Sequence, residues 1–592
     1  MRKNGFMTTM LGLGLAAVGM MGTKEVLGAI PNTMHPDFDL SQVGLPAAYK
    51  TMGMGFLKDG RMVLGTTVAI GGGEVPPASA DHKLFIVSGI SKTGSGALTV
   101  KEIANNWHQI AGIVIAEDKV YVSDRDGFYR IDNIDNPTDL AGNRTLIVKW
   151  PDENHWPHGF SWHQWVFTPV YFQGFFYAPY SGCIVPGGPS GTDPTTAYSG
   201  AFLKWDLSGK LEKFAGGLRS PNGANINPAG EMFVADNQGS WLPSSTFMQM
   251  KQGKFYGHKQ SDGHAPNWAE SLPYERPTAW LDNGALRTSP SQPVFIDKGR
   301  YQGDWLLGDV NNPGLVRIAL DKVGDTYNGS VFWFGQGMGN AAINRMAWGP
   351  DGSLYIGTLT KIGNWPSGDE QPMYKLTPKA AAGAFEPRMV RSLADGVELL
   401  FTEPVDKASV VPANFTVQTW NYTRQAGYGL GKSVPQKLTV SAADLSDDGL
   451  RVHLVIAGLK EDFVTYIKLG TVKPATGAET LWNNEAWFTL NAASPRAWSA
   501  TSAIAEAAPE TSPLAGKVHY RLSASRSLDV EVDMPGLHIV TLRSLNGAVL
   551  QSVQGEGQGR QQLNAPGLGH GLYLLEVKQG AETLRLPIAL AN

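Results

Sequence analysis

Residues 217–241 read GLRSPNGANINPAGEMFVADNQGSW. Arg219 brings a planar guanidinium that can hold a carboxylate, or a carbonyl oxygen on which charge develops; the simpler alternative is an arginine that pins a loop through backbone carbonyls. Ser220 and Asn222 shape the turn that follows, and Asn222 can add an amide. Beyond the short strand-like piece 231–235 come Asp236, Gln238, Gly239 and Ser240. Such a loop, rich in glycine and amides at a strand end, lets backbone oxygens and side chains converge, and hard cations such as calcium take oxygen ligands. A tight strand-to-strand loop would be equally glycine-rich. Upstream, His163 precedes the run HQWVFTPVYFQGFFY. Its imidazole can accept a proton near neutral pH, or it can be a packing residue among Trp156, Trp162 and Trp165. His155 and His158 lie close enough to compete for the role.

Several other features read more plainly. The aromatic run Trp156, Trp162, Trp165, Phe167, Tyr171 and Phe172 suits either sugar-ring stacking or packing. Asp124 and Asp126 in SDRDGF, with DNIDNP from Asp132, fit a surface calcium or ordinary turns. Cys183 is the only cysteine, so an internal disulfide and a Cys-x-x-Cys-His haem attachment are both ruled out.

These residues must be positioned by a large chain. It has 592 residues, which exceeds one compact core and implies two to four domains. With 42% apolar and 17% charged residues it is a folded protein. The 70 glycines, 37 prolines and many aromatics favour turn-rich β-structure. A net charge of −4 with no basic stripe gives no reason to expect nucleic acid. Arg2 and Lys3, an apolar run from Met7 to Met21 and small residues at Gly28-Ala29 predict a signal peptide over 1–29. No later stretch is long and apolar enough to span a membrane. The expected location is therefore outside the cytoplasm: periplasm, cell surface or medium.

A unit of polar turn, hydrophobic strand and small or acidic residue recurs as DGRMVLGTT, EDKVYVSDRDG, QGFFYAPYSG, AGEMFVADNQG, QGDWLLGDV and DGSLYIGTL. Its turns fall at 60, 118, 174, 230, 303 and 352. Spacings of this size fit four-stranded sheets, and six of them closed in a ring make a β-propeller over 35–378. Segment 386–492 predicts an immunoglobulin-like β-sandwich, 493–516 an Ala/Ser/Pro-rich linker, and 517–592 a second small sandwich. The expected class is all-β: a six-bladed β-propeller followed by two β-sandwich domains.

From GLRSPNG through DNQGSWLPSSTFMQMKQGKFYGH, and again at WHQWVFTPVYFQGFFYAPYSG, YQGDWLLGDVNNPGLVRI and NRMAWGPDGSLYIG, the chain resembles the glucose/sorbosone dehydrogenase family. These are six-bladed propellers using pyrroloquinoline quinone (PQQ) and calcium. The resemblance implies an exported sugar or alcohol dehydrogenase passing electrons to an external acceptor. It implies His163 and Arg219 as catalytic residues. It places Arg219, Ser220, Asn222, Gln238 and Arg345 around PQQ, and the carbonyls of Gly239 and Ser240 on calcium. Two positions depart from the pattern: Asn311-Asn312 stands where a lysine is expected, and a single Arg345 where a pair is expected. The tail resembles the type A sorting domain of the type IX secretion system, which implies secretion machinery as a partner.

Two other readings fit the same residues. A calcium-dependent lactonase of propeller type would use Asn222 and Asp236 as metal ligands and needs an N-terminal carboxylate, for which Glu74 and Glu102 are the nearest. A non-catalytic polysaccharide-binding propeller would account for the missing basic residues.

Overall fold

The computed structural model describes residues 33–46, 49–67, 78–90, 98–150, 165–182, 198–259, 268–283, 285–312, 314–361, 372–379, 383–477, 480–500, 514, 517–522, 527–544, 549–564, 571–580 and 582–590. The signal-peptide segment 1–29 lies outside them, and no described helix is long and apolar enough to cross a membrane.

The first hairpin of each blade forms where the recurring unit stands, because its turn residues accept positive φ: Gly60 (89°), Gly230 (86°) and, without glycine, Asp118 (60°). Blade one runs Lys50–Phe56, Met62–Thr67, Lys83–Ser88 and Thr99–Ala104. Blade two runs Gly112–Ala116, Lys119–Ser123, Gly127–Ile131 and Arg144–Lys149. Blade three begins at Val170–Phe172 and blade four at Pro221–Ile226, followed by Met232–Asp236 and Ser245–Gln249. Blade five begins at Val294–Phe295 and ends at Thr326–Gly335. Blade six takes Ala341–Trp348, Leu354–Lys361 and Tyr374–Pro378, and its outermost strand is Phe38–Gln42 from the other end of the propeller, which closes the ring.

Each pair of neighbouring blades buries its own apolar layer. Met52, Val63, Ile113 and Val122 lie between blades one and two. Leu306, Phe334, Ile343 and Ile356 lie between blades five and six. Apolar area removed from water in these layers is the main favourable term for the ring.

The first sandwich is not simply appended. Strand Glu485–Leu490 pairs antiparallel with the outer strand of blade five (Gly329 with Thr489, Val331 with Trp487), so blade five continues into an eight-stranded sheet. Ala319 and Phe332 of the propeller share a core with Val417, Ile467 and Phe488. A buried polar knot secures the joint. His35 Nε2 lies 2.9 Å from Glu386, the Tyr301 hydroxyl donates to the same carboxylate at 2.5 Å, and Arg317 pairs with Asp304 at 2.7 Å. Part of the stretch read as a linker is also tied down: Arg496 reaches Asp321 at 3.4 Å, and Trp498 stacks on His453. The second sandwich, from Val518–Leu522 to Glu582–Leu590, has a separate core that includes Val530, Val540, Leu575 and Ile588.

Inner strands approach closely near the axis. A Cβ at Gly112 would stand 2.3 Å from Thr168 Cα, so blades two and three meet there only because no side chain intervenes. Gly112→Ala is expected to destabilise the protein by about 1–3 kcal/mol, read as a lower urea midpoint with unchanged slope.

Candidate functional site

In this four-stranded order, each blade's inner strand begins, and its second strand ends, at the same end of the ring, here called the upper face. Three blades carry a buried aspartate just there, at matching positions of the recurring unit. Asp236 accepts the backbone N–H groups of Arg219 and Ser220, each at 2.7 Å, and of Asn237 at 2.8 Å. Asp309 accepts those of Thr288, Ser289, Asn311 and Asn312 at 2.6–2.9 Å. Asp124 accepts those of His108, Asp126 and Gly127 at 2.9–3.2 Å. Each carboxylate thus clamps the loop that leads into its own blade. Burial raises the carboxyl of Asp124 to about 7 and that of Asp236 to about 6, against the opposing pull of the N–H groups.

The clamps explain Asp124 and Asp236, which sequence reading weighed as metal ligands. Asp236 is itself fully buried. Asp126 and Asp132 are occupied as well, by His108 and by Arg130. Glu102 sits on the outer strand of blade one, paired with Lys83 at 2.9 Å, away from the axis; Glu74 lies outside the described residues.

Arg345 spans the axis. Its guanidinium donates to the carbonyls of Met52 (2.9 Å), Ala111 (2.8 Å) and Asn222 (3.2 Å), and to the amide oxygens of Asn222 (2.8 Å) and Asn344 (2.9 Å). It therefore links blades one, two, four and six. Among the described residues no carboxylate is a partner, and burial lowers its pKa to about 9. Arg345 and Asn222 are thus taken up in this knot, with Arg345 above the Phe167 ring. Trp165 and Phe167, two members of the aromatic run, are buried packing residues; Trp156 and Trp162 lie outside the described residues.

Arg219 is also buried, and its pKa is lowered by that burial. Its Nε is buried and has no hydrogen-bond partner among the described residues. It lies flat against the next loop: a Cβ at Gly239 would fall 1.9 Å from Arg219 Nε, so only glycine fits. Gln238 is held by Ser245, whose hydroxyl donates to its side-chain oxygen at 2.9 Å. The two carbonyls expected on calcium already accept protons. Gly239 O takes the N–H of Gly429 (3.1 Å) and of Leu242 (3.3 Å), and Ser240 O lies 3.1 Å from His258 Nδ1. Gly429 comes from the first sandwich, whose segment between Asn421 and Ser433 reaches onto the upper face. Asn311 and Asn312 take part in the Asp309 clamp.

His163, His155, His158 and Cys183 lie outside the described residues. A different imidazole has the geometry of a base. His108 Nδ1 lies 2.7 Å from Asp126 Oδ1, which fixes the proton on Nδ1. Its Nε2 is buried and has no hydrogen-bond partner among the described residues. The sequence signal was available as His108-Gln109 followed by Asp124-Arg125-Asp126, but the aspartates also read as turn residues. The loop is strained: Asn106 and Gln109 have φ of 60° and 62°. Buried groups without internal partners gather at this face, namely Gln109 Nε2, Thr168 Oγ1, Ser291 Oγ and His258 Nε2.

This set fits a polar anion. Arg125, Arg219, Arg287 and Arg345 are all buried at this end of the propeller, and burial lowers Arg125 to about 9 and Arg287 to about 10. Arg345 has no counter-ion among its described partners, and a buried cation without one is costly. The described residues contain no group of three or more His, Cys, Asp or Glu able to hold a metal. With a guanidinium against Gly239, the loop does not fit calcium alone; a cation there needs an anionic ligand beside it.

No family model matches the chain, and no curated protein matches it. Among solved structures, the soluble aldose sugar dehydrogenase of Escherichia coli in its apo form is 14% identical, with a TM-score of 0.40, covering 58% of this chain and 100% of that one. The PQQ-bound aldose sugar dehydrogenase of Streptomyces coelicolor is 14% identical, with a TM-score of 0.38, covering 59% and 99%. A glucose dehydrogenase is 16% identical, with a TM-score of 0.39, covering 58% and 100%.

Asp124 gives a pH-dependent outcome. Its folded pKa lies above the unfolded value of about 3.9, so its contribution is complete below pH 4 and is lost as pH rises through about 7. In urea unfolding, wild type minus Asp124→Asn is expected to lose roughly 4 kcal/mol between pH 4 and pH 8. Parallel pH profiles would contradict this.

Proposed function

We propose that the chain is an exported sugar or alcohol dehydrogenase that binds PQQ at the upper face and passes electrons to an external acceptor. The observation that carries this reading is the buried cationic set, Arg345 above all, with a carboxylate-oriented imidazole at the same face. PQQ, when bound, supplies a two-electron acceptor. The chain's own residues supply the rest. Arg219 adds its guanidinium charge beside the anionic ligand. His108 Nε2 takes the substrate hydroxyl proton, and Asp126 stabilises the imidazolium that results. Ser220, Asn222 and Gln238 keep Arg219 and its loop in place. The Gly239 and Ser240 carbonyls would be the groups to hold calcium, and only with the anion beside it. The lactonase alternative needs carboxylates facing the axis; Asp236 and Glu102 are committed elsewhere. Export rests on the signal peptide over 1–29, and passage through secretion machinery on the C-terminal sandwich.

The test is dye reduction with an aldose by the purified full-length protein, with and without PQQ and calcium. PQQ-dependent reduction is expected, with His108→Ala lowering kcat by about 100- to 1000-fold while PQQ binding is retained. No PQQ-dependent reduction with any aldose or simple alcohol would remove the proposal.

A further inference from the structure

The segment between strands Phe415–Asn421 and Gln436–Leu438 of the first sandwich belongs to a different domain from the upper face, yet it is pinned there along its length. Trp241 N–H donates to Gln425 O at 2.9 Å, and Gly429 N–H to Gly239 O at 3.1 Å. Lys432 Nζ lies 2.7 and 2.9 Å from the two oxygens of Asp282, which also receives the Tyr422 hydroxyl. Arg424 stacks on Tyr274 at 3.4 Å. Held in this way, the segment places the Tyr428 ring against Arg219, 5.2 Å from guanidinium carbon to ring centroid. The Tyr428 side chain also hydrogen-bonds that of Arg219. Tyr428 is 53% exposed, and Leu430 beside it 57% exposed.

We propose that Tyr428 is a specificity-determining residue of the upper-face site, its open ring being the platform on which the sugar ring of the substrate lies. This rests on the dehydrogenase reading for the identity of the substrate. The chemistry matches. One face of a pyranose presents polarised C–H bonds, and the aromatic face is electron-rich. The pinned backbone means little ordering entropy is lost when the ring is engaged. The sandwich thereby completes a site that the propeller alone leaves open on the blade-four side.

The experiment uses the full-length protein and its Tyr428→Ala and Tyr428→Phe variants, with folding checked by urea midpoint. In PQQ-dependent dye reduction, Tyr428→Ala is expected to raise KM for D-glucose about tenfold with kcat changed less than about twofold, and Tyr428→Phe to restore KM. Unchanged KM in Tyr428→Ala overturns the inference, as does a Phe variant as impaired as the Ala variant. If the wild type reduces no dye, the dehydrogenase reading fails separately. D-glucose titration followed by tryptophan fluorescence then decides: binding weakened about tenfold in Tyr428→Ala upholds the inference, and equal or absent binding in both proteins overturns it.

Discussion

Arg345 places a buried positive charge at the propeller axis and satisfies its donors with carbonyl and amide oxygens drawn from four blades. Those bonds fix the inner strands relative to one another, and among the described residues none of them comes from a carboxylate. In a low-dielectric interior such a charge acts over several ångströms. The upper face is built around that constraint. Arg125, Arg219 and Arg287 add to the positive potential, while Asp124, Asp236 and Asp309 spend their oxygens on backbone N–H groups of the loops leading into blades two, four and five. The result is an ordered rim in which buried guanidinium and carboxylate groups stand close together, Arg219 with Asp236 and Arg287 with Asp309.

The first sandwich extends this logic beyond the ring. Its sheet continues from blade five, so the segment carrying Tyr428 is held at both ends by strands that are themselves part of the propeller's hydrogen-bonded framework. The same segment occupies the carbonyl of Gly239. Any group taking that oxygen would compete with the Gly429 and Leu242 N–H groups that already occupy it.

Much of the ring was legible in the sequence because its information is local. The turns at 60, 118, 174, 230, 303 and 352 need residues that tolerate positive φ or tight reversal, and the strand beside each is short and hydrophobic. Arg219, Gln238 and Gly239 were likewise singled out by residue type, and the structure brings them together. What was not legible is long-range. The pairing of Val331 with Trp487 depends on strands over 150 residues apart, which no local pattern encodes. The clamp role of Asp236 was hidden because an aspartate at a strand end reads the same whether it binds N–H groups or a metal. The role of His108 was hidden because only folding shows that Asp126 faces its Nδ1. Arg345 was assigned to a cofactor, and its commitment to carbonyls of blades one, two and four could not be read from NRMAWGPDG.

Under the dehydrogenase proposal, buried guanidinium charge holds an anionic quinone at the upper face. Calorimetric titration of PQQ into the full-length protein, first without and then with calcium, and repeated with Arg219→Gln, tests it most directly. The account predicts binding at micromolar concentration or tighter, at least about tenfold weaker in Arg219→Gln, with no heat from calcium added alone. Absence of PQQ binding at millimolar concentration, or equal affinity in the two proteins, would contradict it.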